Sequence, residues 1–227
     1  MKLILASQGF TTPEIANAAA QLVGKPLDQI NVAIINEAYI GIAPSQDMRW
    51  LIRELGLISQ NVGGTISLVS LRAYDDIDEV RKRLEFTDLI YLVGGSGASA
   101  ALPSLFQKTG FDKLLKDLAG TKVIMGTSAG AAVLGQQIQN PEYWDDQYGD
   151  GKKYTAIPTL ALADFQIIPH FGRGDRPRRK AEIITPLLKN EEFPVFGIAD
   201  EQAIISDDSQ VEFVGGEPLY FGAKYQA

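Results

Sequence analysis

The sequence predicts an α/β fold, in which a doubly wound, mostly parallel sheet carries helices on both faces and antiparallel strands follow at the C-terminus. Short apolar, β-rich segments alternate with longer segments of helical periodicity, and this alternation is typical of parallel sheets. The strand segments are continuous apolar runs, which indicates burial on both faces. Because no repeat or Pro/Ser-rich linker interrupts the pattern, we expect a single domain over residues 1–227.

The first half of the chain supplies five predicted strands and the helices between them. The strands are residues 2–6, 31–36, 65–71, 89–93 and 122–126. Thr12 is suited to cap a helix that begins at Pro13 and runs to about residue 23. Apolar residues at positions 48, 51, 52 and 55 share one helix face, and Gly56 is predicted to end that helix. Residues 76–84 form a charged helix, and a long helical stretch precedes the fifth strand.

The pattern changes after about residue 135. The segment 140–153 is rich in Tyr, Asp and Gly and is predicted to be a loop. Further strands are predicted at residues 164–168, 195–198, 203–206, 210–214 and 219–221. Short turn sequences separate the last three, which therefore predict a terminal antiparallel meander.

Composition excludes several classes of function. The chain has 21 Lys and Arg against 28 Asp and Glu, a net charge of −7, which disfavours nucleic-acid binding. The absence of cysteine excludes disulfides, thiolate metal sites and a cysteine nucleophile. A single histidine is too few for a metal site built from several imidazole ligands. No apolar run approaches the length of a membrane span and no signal-peptide core is present, so we expect a cytoplasmic location.

The segment 126–130, Gly-Thr-Ser-Ala-Gly, matches the G-x-S-x-G pattern of a nucleophile elbow. It follows a predicted strand directly and opens a predicted helix at residues 129–134, which is the context that an elbow requires. Backbone N–H groups at the start of that helix favour a developing anion. Ser128 is therefore the candidate nucleophile, the alternative being a glycine-bracketed turn with a capping serine.

A serine nucleophile needs a base and an orienting acid. His170 is the one histidine available, and it follows a predicted strand at the sheet edge where doubly wound folds bind ligands. Asp200 and Glu201 follow another predicted strand. Neighbouring strand residues point to opposite faces, so one of the two can reach the imidazole. Asp145 and Asp146 are the reserve candidates.

These motifs together resemble the serine peptidase family of peptidase E (aspartyl dipeptidase) and cyanophycinase, whose fold resembles the class I glutamine amidotransferases. The matching segments are Val93-Gly94-Gly95, the 126–130 motif, Pro169-His170-Phe171 and Gly197-Ile198-Ala199-Asp200. They occur in the order nucleophile, histidine, acid, whereas α/β-hydrolases place the acid before the histidine. The resemblance covers essentially the whole chain.

The resemblance implies specific roles for the matching residues. Ser128 would be the nucleophile and His170 the general base, with Asp200 at the position where the family usually has Glu and Glu201 as a substitute. The oxyanion hole would consist of backbone N–H groups of Ala129 and of Gly95 or Ser96.

Resemblance to peptidase E also implies an arginine that binds the aspartate side chain of the substrate, and Arg178 is the best match among the arginines after His170. The turn after the fourth strand lacks the Asn and Thr that the family usually carries there.

The expected function is that of a serine peptidase acting on short peptides, a dipeptidase with a preference for N-terminal Asp, without metal or cofactor. A small peptide is the expected partner and a homodimer the expected assembly. Two alternatives stay open: a ligand-binding protein of the same fold without catalysis, and a hydrolase of the same mechanism acting on cyanophycin-type or ester substrates. The Gly-rich segment 95–100 fits a dinucleotide fingerprint, but it follows the fourth strand, whereas such fingerprints follow the first.

Overall fold

The computed structural model describes residues 1–40, 48–74, 76–95, 98–137, 159–176, 178–208 and 210–224. Its strands are β1 (Lys2–Ala6), β2 (Val32–Ile35), β3 (Ile66–Leu68), β4 (Leu89–Leu92), β5 (Val123–Thr127), β6 (Gln166–Ile168), β7 (Pro194–Gly197), β8 (Ala203–Asp207), β9 (Gln210–Val214) and β10 (Leu219–Gly222). Its α-helices are α1 (Pro13–Val23), α2 (Glu37–Ile40), α3 (Met48–Asn61), α4 (Ile77–Leu84), α5 (Ala98–Thr109), α6 (Phe111–Leu118), α7 (Ala129–Ala132) and α8 (Ala181–Leu188).

Two sheets organise these elements. The larger has the order β3-β2-β4-β5-β1-β8-β9. The first five of these strands run parallel, β8 pairs antiparallel with β1, and β9 pairs antiparallel with β8. The smaller sheet has the order β10-β7-β6, with β6 parallel and β10 antiparallel to β7. The α/β fold with a mostly parallel sheet is therefore confirmed.

Helices cover both faces of the large sheet. Alternate residues of β1 belong to different cores: Leu3 and Leu5 pack in a cluster with residues of α4, α5 and α6, whereas Ile4 and Ala6 pack in a cluster with residues of α1 and α3. Every residue of β2, β4 and β5 is buried, as the continuous apolar runs predict.

Three details differ from the sequence-based expectations. Gly56 does not end α3, which continues to Asn61. A glycine in a helix costs about 1 kcal/mol, but Ile58 and Val62 extend the buried face beyond it. The long helical stretch before β5 is two helices, separated at Gly110, whose φ of 75° interrupts the helix.

The terminal meander is the third difference. β8 and β9 pair with each other, but β10 leaves them and pairs with β7 in the smaller sheet. Phe221 of β10 is buried there in a small cluster with Ile168, Ile184 and Val195. Burial of this aromatic ring against β6, β7 and α8 accounts for the change of sheet.

Candidate active site

The site lies where the carboxyl ends of β1, β4 and β5 adjoin. Ser128 follows β5 and has a strained backbone, with φ 51° and ψ −118°. Its N–H donates to Ala6 C=O at the end of β1, at 3.1 Å. Its C=O accepts from the N–H groups of Ala131 and Ala132 at 3.1 and 2.9 Å. Backbone hydrogen bonds thus hold both sides of the strand-to-helix turn that the 126–130 motif predicts.

The two glycines of the motif are required by close packing. A Cβ at Gly126 would overlap the backbone of Gly130 and Ala131, and a Cβ at Gly130 would overlap the Leu92 carbonyl of β4. These contacts press the elbow against the sheet. The helix that follows has one turn only, residues 129–132, and is shorter than the expected 129–134.

His170 and Asp200 come from the smaller sheet. The parallel pairing of β6 with β7 continues beyond both strands, because Phe171 N–H donates to Ile198 C=O at 2.9 Å. This pairing sets His170, after β6, beside Asp200, after β7. His170 is buried and has a φ of 57°.

The three side chains form one hydrogen-bonded line. His170 Nε2 lies 2.9 Å from Ser128 Oγ, and His170 Nδ1 lies 2.5 Å from Asp200 Oδ1. Since a carboxylate only accepts, Nδ1 carries the proton and Nε2 is left to accept the serine proton. Of the two acids that the sequence leaves open, Asp200 reaches the imidazole and Glu201 is exposed. Asp145 and Asp146 lie outside the described residues.

Ser7 is a member of this site that the sequence reasoning missed. Its hydroxyl accepts from His170 N–H at 2.7 Å and donates to Asp200 Oδ1 at 3.2 Å. The side chain is fully buried at the carboxyl end of β1. The signal that could have found Ser7 is its position directly after a strand that neighbours β5, since the carboxyl ends of parallel strands share one edge.

Arg173 is a second residue that the sequence did not single out above its neighbours. Its Nη1 lies 3.3 Å from Asp200 Oδ2, and its Nε and Nη2 each donate to an Asp175 carboxylate oxygen at 2.6 Å. The hydrogen bond from Arg173 lowers the pKa of Asp175 to about 2. Arg178, the arginine that the sequence favoured, is exposed on the same loop.

The comparisons with known proteins identify the family. The model of peptidase family S51 matches residues 3–214. The chain belongs to this family. Family S51 membership supports a serine peptidase, the general function that the residue pattern and the resemblance predict.

Solved structures of low sequence identity share the fold of this S51 member. A protein assigned as peptidase E from Listeria monocytogenes EGD-e is 19% identical, with a TM-score of 0.68 over 93% of this chain and 96% of that one. A peptidase from an acI-B1 actinobacterium is 17% identical, with a TM-score of 0.63 over 99% of this chain and 95% of that one.

A curated relative matches in part. The pyridoxal 5'-phosphate synthase subunit PdxT of Ignicoccus hospitalis (strain KIN4/I) is 36% identical over 110 residues, 48% of the S51 chain and 51% of the relative. The match thus spans about half of each protein.

Burial and neighbouring charges set the protonation of the S51 site. Burial lowers the pKa of His170, the cations Arg179 and Arg173 lower it further, and Asp200 opposes them. Burial raises the pKa of Asp200, but hydrogen bonds and charges from His170 and Arg173 outweigh it, so the net pKa is lowered. At neutral pH the line therefore consists of a carboxylate, a neutral imidazole and a serine hydroxyl.

The glycine turn after β4 lies against the elbow. A Cβ at Gly94 would be 2.6 Å from Ser128 Cβ and 3.2 Å from Ala129 N, and the next residue, Gly95, packs on the Ala38 carbonyl. Ala129 N–H is one of the first N–H groups of α7, which have no partner within the helix. Ser96, the other residue expected at the oxyanion hole, lies outside the described residues.

The part of the S51 chain that the structure describes contains neither a candidate membrane span nor a candidate metal site. Among the helices bounded above, none is long and apolar enough to cross a bilayer. Within the same ranges, no three Asp, Glu or His side chains are grouped so that they could hold a metal ion.

Proposed function

We propose that this S51 member is a dipeptidase that hydrolyses short peptides through an acyl-enzyme on Ser128, with a preference for an N-terminal aspartate. The observation that carries the proposal is the line Ser128 Oγ, His170 Nε2, His170 Nδ1, Asp200 Oδ1, with separations of 2.9 and 2.5 Å. Both distances are within hydrogen-bond reach, as a nucleophile, a base and an orienting acid require.

The reaction uses these groups in two half-steps. Ser128 Oγ attacks the peptide carbonyl carbon as its proton passes to His170 Nε2, and the imidazolium is stabilised by Asp200. The C–N bond then breaks, the amine leaves with the proton from Nε2, and the acyl group stays on Oγ. Water next attacks the acyl carbon, giving its proton to Nε2, and Ser128 leaves with that proton as the acid product is released.

The anionic oxygen of each tetrahedral intermediate needs donors on the elbow side of the site. Ala129 N–H and the N–H of Gly95 are the proposed donors, because the glycine turn packs directly on the elbow. Loss of one such donor costs about 3–4 kcal/mol of transition-state stabilisation in a well-studied serine peptidase.

The proposed aspartate preference rests on the arginine loop that follows His170. Arg173 is already paired with the carboxylates of Asp175 and Asp200, so its charge serves the site itself. Arg178 is exposed on the same loop, and a guanidinium group matches a carboxylate bidentately. We assign the substrate carboxylate to Arg178 on the resemblance to peptidase E, in which an arginine after the histidine binds the substrate aspartate.

Covalent labelling tests the proposal directly. Wild type and Ser128→Ala are treated with a fluorophosphonate probe, and intact masses are measured. We expect one adduct on the wild type and none on the variant. A panel of dipeptides then compares Asp-Xaa with Ala-Xaa and Leu-Xaa, with Arg178→Ala alongside, which should raise KM for Asp-Xaa alone. An unlabelled wild type that also fails to cleave every dipeptide would favour the non-catalytic alternative.

A further inference from the structure

A buried acid that the reaction does not use lies beneath the elbow. Glu54 projects from α3 into the apolar layer on one face of the large sheet, and its side chain is 1% exposed. Tyr91 of β4 donates its hydroxyl hydrogen to Glu54 Oε1. The hydroxyl of Thr127, the last residue of β5, lies near enough to both of these side chains to lower the pKa of each. Tyr91 and Thr127 are fully buried.

The backbone of the loop after β1 closes this cluster on its remaining side. A Cβ at Gly9 would overlap both the Tyr91 hydroxyl and Glu54 Oε1. The charge of Arg53, the exposed neighbour of Glu54 on α3, lowers the pKa of Glu54. Burial outweighs these favourable contacts and raises the pKa of Glu54 to about 7.

The cluster is joined to both halves of the hydrogen-bonded line. Thr127 directly precedes Ser128, and its hydroxyl lies 3.5 Å from Ser7 C=O. Ser7 in turn bonds the His170 backbone and the Asp200 carboxylate. The Thr127 hydroxyl thus lies between Glu54 and the backbone of the two serines, Ser128 and Ser7.

We propose that Glu54 is a positioning residue of this site, which orients the Thr127 hydroxyl and thereby fixes the positions of Ser128 and Ser7. The inference rests on the proposed function, since it concerns how Ser128 is presented for reaction. A neutral carboxyl can donate to the Thr127 oxygen, and this leaves the Thr127 proton for Ser7 C=O. An ionised carboxylate only accepts, so it draws that proton away from Ser7.

The consequence is a defined pH dependence of Ser128 reactivity. The neutral form of Glu54 supports the site, so reactivity should fall as Glu54 ionises above pH 7. Protonation of His170 acts on the opposite, acidic side of the profile, because its pKa is lowered. The two titrations therefore separate.

The test measures the rate of fluorophosphonate labelling from pH 5 to 9 in wild type, Glu54→Gln, Glu54→Leu and Thr127→Val. Glutamine can accept from Tyr91 and donate to Thr127 at every pH, so Glu54→Gln should keep the wild-type rate at pH 6 and lose the alkaline fall. Glu54→Leu should be slower by about 10-fold to 100-fold, as for a misplaced reactive group. Glu14→Gln, on the exposed face of α1, is the control and should match wild type.

Each outcome decides between the two proposals. A wild type that is neither labelled nor active on any dipeptide at any pH would overturn the proposed function and this inference together. Labelling of Glu54→Leu at the wild-type rate, or an alkaline fall that persists in Glu54→Gln, would overturn the inference alone. If Glu54→Leu does not fold, the profiles of Glu54→Gln and Thr127→Val carry the test, since both should lack the alkaline fall.

Discussion

Ser128 and His170, whose side chains lie 2.9 Å apart, both hold backbone conformations with positive φ, 51° and 57°. They are two of the four non-glycine residues with positive φ in the part of the chain that the structure describes. Such conformations cost about 1–3 kcal/mol each and persist where the surroundings enforce them. Two of these four strained positions therefore carry the groups that exchange a proton in the proposed reaction.

Replacing Ser128 should separate strain from chemistry. Ser128→Gly relieves the backbone and should be more stable than Ser128→Ala by about 1 kcal/mol, after the entropic cost of glycine is subtracted. Both variants should lose several orders of magnitude in kcat. Chemical denaturation and dipeptide kinetics measure the two effects. Equal stability of the two variants would show that the elbow carries no strain.

Asp200→Asn should lower kcat by about 10³-fold to 10⁴-fold, because an amide can hold His170 in the wrong tautomer. Glu201→Gln is the matched control on the neighbouring residue, which is exposed, and should retain kcat. Steady-state kinetics on one dipeptide compare the two variants. Small and equal effects would move the acid to Asp145 or Asp146.

Ser7→Ala removes the acceptor of the His170 N–H and a donor to Asp200. A buried N–H left without a partner costs about 1–3 kcal/mol, so we expect a lower melting temperature. We also expect kcat to fall with little change in KM, since Ser7 supports the base and not the substrate. Ser59→Ala, which removes an exposed hydroxyl from α3, is the control for both measurements.

The acid limb of kcat/KM should lie below the ordinary histidine pKa of 6.5, because burial and cations favour neutral His170. Arg173→Gln removes one of these cations and should move the limb to higher pH. His170 also makes the free energy of unfolding depend on pH. In the unfolded chain His170 takes up a proton near pH 6.5, whereas in the folded protein it does not, so the free energy of unfolding falls as the pH drops below that value. A limb that stays in place in Arg173→Gln would contradict the electrostatic assignment.

Glu54 makes the opposite contribution to stability. Its folded pKa is raised from 4.5 to about 7, so the unfolded chain ionises first as the pH rises. The stability of wild type relative to Glu54→Gln should therefore fall by about 3 kcal/mol between pH 4.5 and 7, and then level off. Urea denaturation across this range measures the difference. A constant difference would mean that Glu54 titrates normally in the folded protein.

The sequence predicts those parts of the fold that depend on local pattern. The strand bounds of β1 and β9, the Thr12 cap and the start of α1 at Pro13 agree with the structure. Continuous apolar runs and capping signals are local properties, so a single sequence reveals them. The G-x-S-x-G motif likewise locates Ser128 because strand, turn and helix are adjacent in the chain.

Pairing between distant segments could not be predicted in the same way. β10 pairs with β7 because Phe221 packs against Ile168, Ile184 and Val195. No local pattern in the sequence shows these contacts. Ser7 and Arg173 reach Asp200 across 193 and 27 residues, and a lone serine or arginine carries no motif. The choice of Asp200 over Glu201 depended on the register of β6 against β7.

His170 is the single histidine of the chain, and it lies at the centre of the site. Every imidazole resonance in a proton or nitrogen-15 spectrum of this protein therefore originates from the site, and needs no assignment by mutation. The nitrogen shifts distinguish the Nδ1–H tautomer from the imidazolium, and a bound peptide or an acyl group on Ser128 would displace the same few signals. The molecule thus contains its own spectroscopic reporter, in the one side chain that every step of the proposed reaction uses.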